Sequence, residues 1–212
     1  MKIMLLGVPG AGKGTQAEVI AKTKNIPHIS TGNLLRAAVE AKTPLGLQVK
    51  EVLERGELVT DELVLGVLKD RLEAPDAKNG YILDGVPRTL GQAKALGELG
   101  IEIDTCLFFD IQDDIILKRL SGRRTCEQCA RAYHIDANPP KVEGVCDVCD
   151  GKLYIRSDDS AETIAKRIRV YREETAPLMA FYESRGILKN IPADATVEET
   201  TEKVLLALGT AQ

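Results

Sequence analysis

The chain reads as an α/β protein: a P-loop fold with a parallel five-stranded sheet flanked by helices. Three observations point there. Short apolar runs alternate with longer helical patterns. The first run, Ile3 to Leu6, opens straight into the glycine-rich segment GVPGAGKGT at 7–15. Two later runs end on the acidic residues Asp84 and Asp110. In such sheets ligands bind beyond the carboxyl ends of the strands, where all these features fall.

Ala17, Ile20 and Ala21 keep helical spacing behind the glycine-rich loop. Ile26 to Ile29 reads as a second strand, followed by helices over 33–42 and 44–55, the second stopping at Gly56. Tyr81 to Asp84 and Thr105 to Phe109 read as the third and fourth strands, and Ile187 to Ile191 as the fifth. Helical patterns at 61–73, 89–98 and 112–121 fill the intervals. Ser160 is placed to cap a helix carrying Ile164, Ile168 and Tyr171, which Pro177 must break or kink. Thr196 and Glu199 form a capping box for a last helix whose inner face carries Val204, Leu205 and Leu208.

The loop at 7–15 has the chemistry of a phosphate cradle. Gly7, Gly10 and Gly12 let successive backbone N–H groups point inward, the following helix adds its positive dipole end, and Lys13 supplies a mobile ammonium. The generic pattern places Ser or Thr directly after the Lys; here Gly14 intervenes and the hydroxyl comes at Thr15. The bland alternative is an ordinary strand-to-helix turn, but Lys, glycine spacing and flanking elements agree on phosphate. Asp84 is a candidate for holding Mg²⁺ through water beside those phosphates, its plain alternative being to cap the turn at Gly85.

Two stretches break the strand–helix alternation. Residues 30–59 are helical with no strand, and 122–159 are rich in Gly, Pro, Cys and charge. Within the latter, Cys126 and Cys129 form one CxxC pair and Cys146 and Cys149 another, with sixteen residues between them. Four thiolates at this spacing can close a tetrahedron around Zn²⁺ with no open position, so the metal would be structural. Two disulfides or a redox motif are the other uses of such pairs. The insert is too small to fold on apolar burial alone, so metal ligation can supply its folding energy. Cys106 stands alone in a strand pattern and reads as a small buried hydrophobe. Arg119, Arg123, Arg124, Arg131, Arg156 and Arg167 flank the insert, as a lid closing over polyphosphate requires.

The 212 residues carry a net charge of −4, with 44% hydrophobic and 28% charged residues. That balance argues against a dedicated nucleic-acid or anionic-membrane binder, which needs a basic surface. No apolar run is long enough to span a bilayer, and the first strand is too short for a signal peptide, so the expected location is cytoplasmic.

With these pieces placed, the chain resembles the adenylate kinases of the bacterial long-lid, zinc-bearing type, over nearly its whole length. The resemblance rests on GVPGAGKGTQA at 7–17, STGNLLR at 30–36, GELVTDELV at 56–64, LDGVPRTLGQA at 83–93, LKRLSGRRTCEQC at 117–129, RSDDSAETIAKRI at 156–168 and the cysteine pairs. It implies reversible Mg-dependent transfer, ATP + AMP = 2 ADP, maintaining adenine nucleotide balance, with a structural Zn²⁺. It further implies a core of residues 1–29, 60–121 and 160–212, an AMP-binding insert at 30–59 and a zinc-binding lid at 122–159. By the same resemblance Gly10, Gly12, Lys13, Gly14 and Thr15 hold the ATP phosphates and Mg²⁺. Thr31, Gly32, Arg36, Glu57, Val59, Gly85, Arg88 and Gln92 hold AMP, Gln92 at the adenine edge and Arg36 and Arg88 at the phosphate. Arg123, Arg156 and Arg167 embrace the transferring phosphoryl group, Arg156 and Arg167 reaching AMP as well, and Arg119 lies along the ATP adenine. Lys13, Arg88, Arg123, Arg156 and Arg167 are thus the expected catalytic set, with Asp158 and Asp159 orienting arginines on lid closure. Neither His28 nor His134, the only histidines, is assigned a catalytic role.

The chain departs from the family pattern in a few places. Asn33 stands for a frequent Asp, Leu53 for a common Met, and Ala137 for an aromatic near the ATP base. Val86 stands for the Phe of the usual DGFPR, which would take a ring from beside the AMP site; the peptide before Pro87 is expected cis. A monomer is the simplest state for such a two-substrate machine. A different acceptor (another nucleoside monophosphate) or a zinc-knuckle nucleic-acid module are the competing readings; few aromatics and the acidic balance disfavour the latter.

Overall fold

The computed structural model describes residues 1–209. Strand β1 (Lys2–Leu6) leads into helix α1 (Lys13–Lys24), and β2 (His28–Ser30) into α2 (Thr31–Glu40) and α3 (Pro44–Glu54). Helix α4 (Asp61–Leu72) precedes β3 (Tyr81–Asp84), α5 (Leu90–Glu98), β4 (Thr105–Asp110) and α6 (Asp113–Ser121). Three short strands follow, β5 (Arg123–Cys126), β6 (Ala132–His134) and β7 (Leu153–Tyr154). The chain closes with α7 (Ala161–Val170), α8 (Leu178–Glu183), β8 (Leu188–Pro192) and α9 (Val197–Ala207).

The main sheet is five-stranded and wholly parallel, ordered β2-β3-β1-β4-β8. Its central strand β1 is buried on both faces, which is why it reads as a continuous apolar run. Ile3 and Leu5 join Phe109, Ile116 and Val204 on one side, while Met4 and Leu6 join Leu83, Leu68 and Leu96 on the other. Cys106 is fully buried in the second cluster. All C-terminal strand ends therefore open on one edge, presenting the loops after Leu6, Ser30 and Asp84 together.

The second strand starts two residues later than the 26–29 run suggests. Ile26 N–H instead bonds to the Ala21 carbonyl, closing α1, and the ladder begins at the Pro27 carbonyl, which accepts from Ile82 N–H. The following helix starts at Thr31 rather than 33 because Ser30, the last strand residue, is its N-cap, its Oγ accepting from Asn33 N–H. Ser160 caps α7, and Thr196 with Glu199 makes the full capping box of α9. Before Pro177 the helix does more than kink. Regular α-helix stops at Val170, and a wide turn over Tyr171–Thr175 closes with Ala176 N–H on the Tyr171 carbonyl. The Val86–Pro87 peptide is cis, as expected.

Helices α2 and α3 pack so closely that a Cβ at Gly46 would overlap the backbone of Ala38. The small antiparallel sheet β6-β5-β7 stands apart, with a core of only Cys126, Tyr133, Cys146 and Leu153 flanked by Cys149. Gly66, exposed in mid-α4, has open space where a Cβ would go. Gly46→Ala is therefore expected to destabilise the protein by roughly 1–3 kcal/mol, and Gly66→Ala to stabilise it by roughly 0.5–1 kcal/mol. Urea unfolding checks both, and equal effects would contradict this packing.

Candidate active site

One cleft of about 720 Å³ lies at the C-terminal edge of the main sheet, and the loop at 7–15 forms its floor. Gly10 and Gly12 have φ of 88° and 90°, a left-handed backbone that glycine adopts without steric penalty. Lys13 Nζ donates to the carbonyls of Gly7 at 2.5 Å and Val8 at 2.9 Å, folding the side chain back over the loop. Burial lowers its pKa to about 8; Asp84 opposes that shift, and Arg88, Arg167 and Arg123 add to it. Gly14 and Thr15 line the cleft beside Asp84.

Asp84 sits at the end of β3, its Oδ2 3.2 Å from His28 Nε2. Burial alone would raise its pKa. The His28 hydrogen bond and the charges of His28, Lys13 and Arg88 outweigh that and hold it below its ordinary value. An ionised, hard oxygen donor at the start of α1 fits a magnesium ion that keeps most of its waters. His28 was not legible as a partner, because only the parallel pairing of β2 with β3, which sets His28 opposite Ile82, brings it near Asp84 two residues further along β3.

A second wall comes from the loop after β3 and from α2. Thr31 Oγ1 and Arg88 Nε both donate to the Gly85 carbonyl, at 3.0 and 2.9 Å. Gln92 Oε1 accepts from Arg88 N–H at 2.7 Å, and its Nε2 donates to Asp61 at 2.8 Å. That leaves the Gln92 amide one N–H and one lone pair. Thr175, delivered by the wide turn before Pro177, donates to the Arg88 carbonyl at 2.8 Å. Arg36 donates to Asn33 Oδ1 and packs its guanidinium on Gly32, and burial then neighbouring Arg156 lower its pKa to about 9. The neutral amide at 33 adds no counter-charge, so of the groups acting on Arg36 only Asp158 opposes the lowering. Val59 is buried at the cleft margin.

Two expected residues behave differently. Glu57 lines the cleft and commits its carboxylate to Lys166 at 2.7 Å and Arg55 at 3.1 Å. Val86 points into the core, outside the cleft lining, so its replacement of an aromatic removes no wall.

Arg123, Arg156 and Arg167 meet at the mouth on two aspartates. Arg123 makes a two-pronged pair with Asp159, Arg156 one with Asp158, and Arg167 reaches Asp159 at 3.0 Å and Asp158 at 3.3 Å. Burial raises the Asp158 pKa, but Arg167 and Arg156 pull it well below the carboxylate range. Burial, then the neighbouring arginines and Asp159's opposing pull, leaves Arg123 lowered, and Arg167 falls to about 10. Arg119 is pinned by the carbonyls of Ala193 and Ala195 at 2.8 and 3.0 Å, and it lines the cleft, as do Ala137, Thr196 and Val197. Arg131 pairs loosely with Glu18 at 3.7 Å, whereas Arg124 is held by the carbonyls of Arg123 and Ser121 and lies outside the cleft lining.

The four sulfurs of Cys126, Cys129, Cys146 and Cys149 lie within 4.8 Å of one another. Cys126 and Cys149 are 3.4 Å apart and Cys129 and Cys146 3.6 Å, far too long for disulfides at about 2.05 Å. They are close to the ~3.8 Å edge of a tetrahedron with Zn–S near 2.3 Å. The set fits a structural Zn²⁺, and no position is left for a reactive water.

A family model described as adenylate kinase matches residues 5–187. The chain is 50% identical to the adenylate kinase of Carboxydothermus hydrogenoformans, covering 98% of this chain and 99% of that protein. It is 48% identical to the adenylate kinase of Ruminiclostridium cellulolyticum and 49% to that of Caldicellulosiruptor bescii, each over 99% of this chain and 99–100% of the relative. A glycine-rich cradle, a converging set of arginines and a four-cysteine knuckle all sit in one chain that shares half its residues with such proteins. This chain belongs to the adenylate kinase family.

Proposed function

We propose that this adenylate kinase carries out Mg·ATP + AMP = 2 ADP with the residue roles below, in a cytoplasmic monomer of three parts: the core at 1–29, 60–121 and 160–212, an AMP insert at 30–59 and a lid at 122–159. The observation that carries the reading is the gathering of Lys13, Arg36, Arg88, Arg123, Arg156 and Arg167 around one cleft against Asp84, Asp158 and Asp159. Excess buried positive charge suits a polyanion and nothing neutral.

ATP phosphates rest on the N–H groups of Gly10, Gly12, Gly14 and Thr15, with the base beside Arg119. AMP lies between Thr31, Gly32, Val59, the Glu57 backbone and Gly85, with its phosphate on Arg36 and Arg88. The free N–H and lone pair of Gln92 complement the N1 acceptor and N6 donor of adenine. An AMP phosphate oxygen attacks the terminal phosphorus of ATP; that P–O bond forms as the bridging P–O bond breaks, and the electron pair leaves on ADP. The nucleophile is already anionic, so no general base is needed, and positioning with charge neutralisation suffices. Magnesium held by Asp84 through water would neutralise phosphate charge. Lys13, Arg123, Arg156 and Arg167 follow the spreading charge, while the lid keeps water from intercepting the phosphoryl group. The zinc knuckle keeps that lid a rigid body moving at arms near 121 and 160.

A coupled assay with Mg·ATP and AMP, GMP, CMP, UMP or no acceptor should give fast ADP formation with AMP alone. Preference for another monophosphate would overturn the role given to Gln92. Arg88→Ala should raise KM for AMP at least tenfold with ATP binding little changed, whereas Lys13→Ala should lower kcat about 10²–10³-fold. Steady-state kinetics on both variants separates acceptor binding from charge stabilisation, and unchanged AMP kinetics in Arg88→Ala would remove that residue from the pocket. Chelating the metal should lower the melting temperature while leaving turnover at low temperature largely intact. Equal melting curves with and without zinc would refute the structural role.

A further inference from the structure

Tyr133 stands in the middle of β6 and is the largest side chain of the lid's small core, 4% exposed among Cys126, Cys146 and Leu153. The Arg131 guanidinium lies over its ring, 5.7 Å from the centre. Its hydroxyl reaches across to the second cysteine pair and is used twice. Oη accepts the Asp147 backbone N–H at 2.8 Å and lies 3.4 Å from Cys146 Sγ. A phenol has one proton to give, and the sulfur is the only acceptor it meets among the described residues, so the O–H donates to Cys146. Asp147 in turn accepts the Lys141 N–H through Oδ1 at 2.9 Å, which steadies the turn between Cys146 and Cys149.

Thiolate chemistry gives that bond a purpose. Four thiolates around one Zn²⁺ leave negative charge uncompensated, and Cys126 and Cys146 are buried away from water. Buried charge is costly unless donors surround it. Cys146 receives the N–H groups of Val148 and Cys149, Cys129 that of Arg131, and Cys149 that of Gly151. Those are backbone donors, supplied by the shape of the loop. Among the described residues, Tyr133 is the one side chain other than the cysteines themselves that bonds a knuckle sulfur. Metal binding strips protons from the knuckle, so a donor aimed at sulfur gains strength when the metal arrives. The hydroxyl therefore favours the loaded knuckle over the empty one.

We infer that Tyr133 is a positioning residue of the metal knuckle: its hydroxyl donates to the Cys146 thiolate and strengthens the lid's hold on zinc. The inference rests on the reading of the four cysteines as a zinc site.

Two measurements on the full chain test this. Zinc is drawn off with a chromogenic chelator to give an affinity, and Co²⁺ is put in its place for spectroscopy. Tyr133→Phe deletes one oxygen and keeps the buried ring. It should bind zinc about tenfold more weakly. The thiolate-to-cobalt absorption band should move to longer wavelength, because a sulfur that loses a hydrogen bond gives up its electrons at lower energy. Tyr154→Phe is the control. Tyr154 lies in β7 of the same small sheet and bonds no cysteine among the described residues, so its loss of a hydroxyl should leave affinity and band as in the wild type. Wild-type affinity and band in Tyr133→Phe would overturn the inference. Weaker zinc binding with an unmoved band would do the same, since the loss would then trace to the Asp147 N–H left without its acceptor. So would an equal loss in Tyr154→Phe, which would make the effect a general loosening of the sheet. A wild-type chain that takes up neither zinc nor cobalt would overturn the reading of the four cysteines, and the inference with it.

Discussion

Repulsion among the buried cations is the constraint on which the rest of this structure depends. Lys13, Arg36, Arg88, Arg123 and Arg167 all have lowered pKa values, with burial the largest cause in each. Two unit charges about 6 Å apart at an effective dielectric near 20 repel by roughly 3 kcal/mol. Asp158 and Asp159 offset part of that by bridging three arginines, and Asp84 offsets part at Lys13. The remaining positive imbalance is what the proposed function assigns to phosphate binding. On the proposed roles, the cleft is electrostatically complete only with its polyanions in place, which would make closing it and binding substrate one event.

Holding such groups still requires supports from distant parts of the chain. Beyond Lys2, whose ammonium pairs with Glu102 at the strand's start, the central strand is wholly apolar and buried on both faces, so it gives the glycine-rich loop a fixed origin. The wide turn over Tyr171–Thr175 shifts the helical phase so that Thr175 reaches the Arg88 carbonyl, anchoring the loop after β3 from behind. Glu57, just past the end of α3, pairs with Lys166, the neighbour of Arg167, and so ties the 30–59 segment to α7.

Much of this was legible from residue order. Strand positions followed from apolar runs, helix starts from Ser160 and the Thr196–Glu199 box, and the metal knuckle from cysteine spacing, because each signal is local. The arginines flanking the insert and Asp84 at a strand end were also legible from their positions, while the individual roles of the arginines came through the resemblance. What escaped depends on the fold. His28 meets Asp84 only through strand register, and Asp61 meets Gln92 only through packing of α4 on α5. Val86 could be taken for a pocket residue because sequence does not say on which side of a loop a side chain falls. Pro177 signalled a break or kink, but not the wide turn that precedes it, since the five-residue bond pattern has no composition of its own.

The lid's small core shares no residue with either cluster of the main sheet. It behaves as a cartridge: the knuckle can be redesigned, lengthened or given another way of holding itself together, provided the two arms and their arginines keep their places. Evolution of this enzyme can therefore retune the cover and the chemistry on separate schedules.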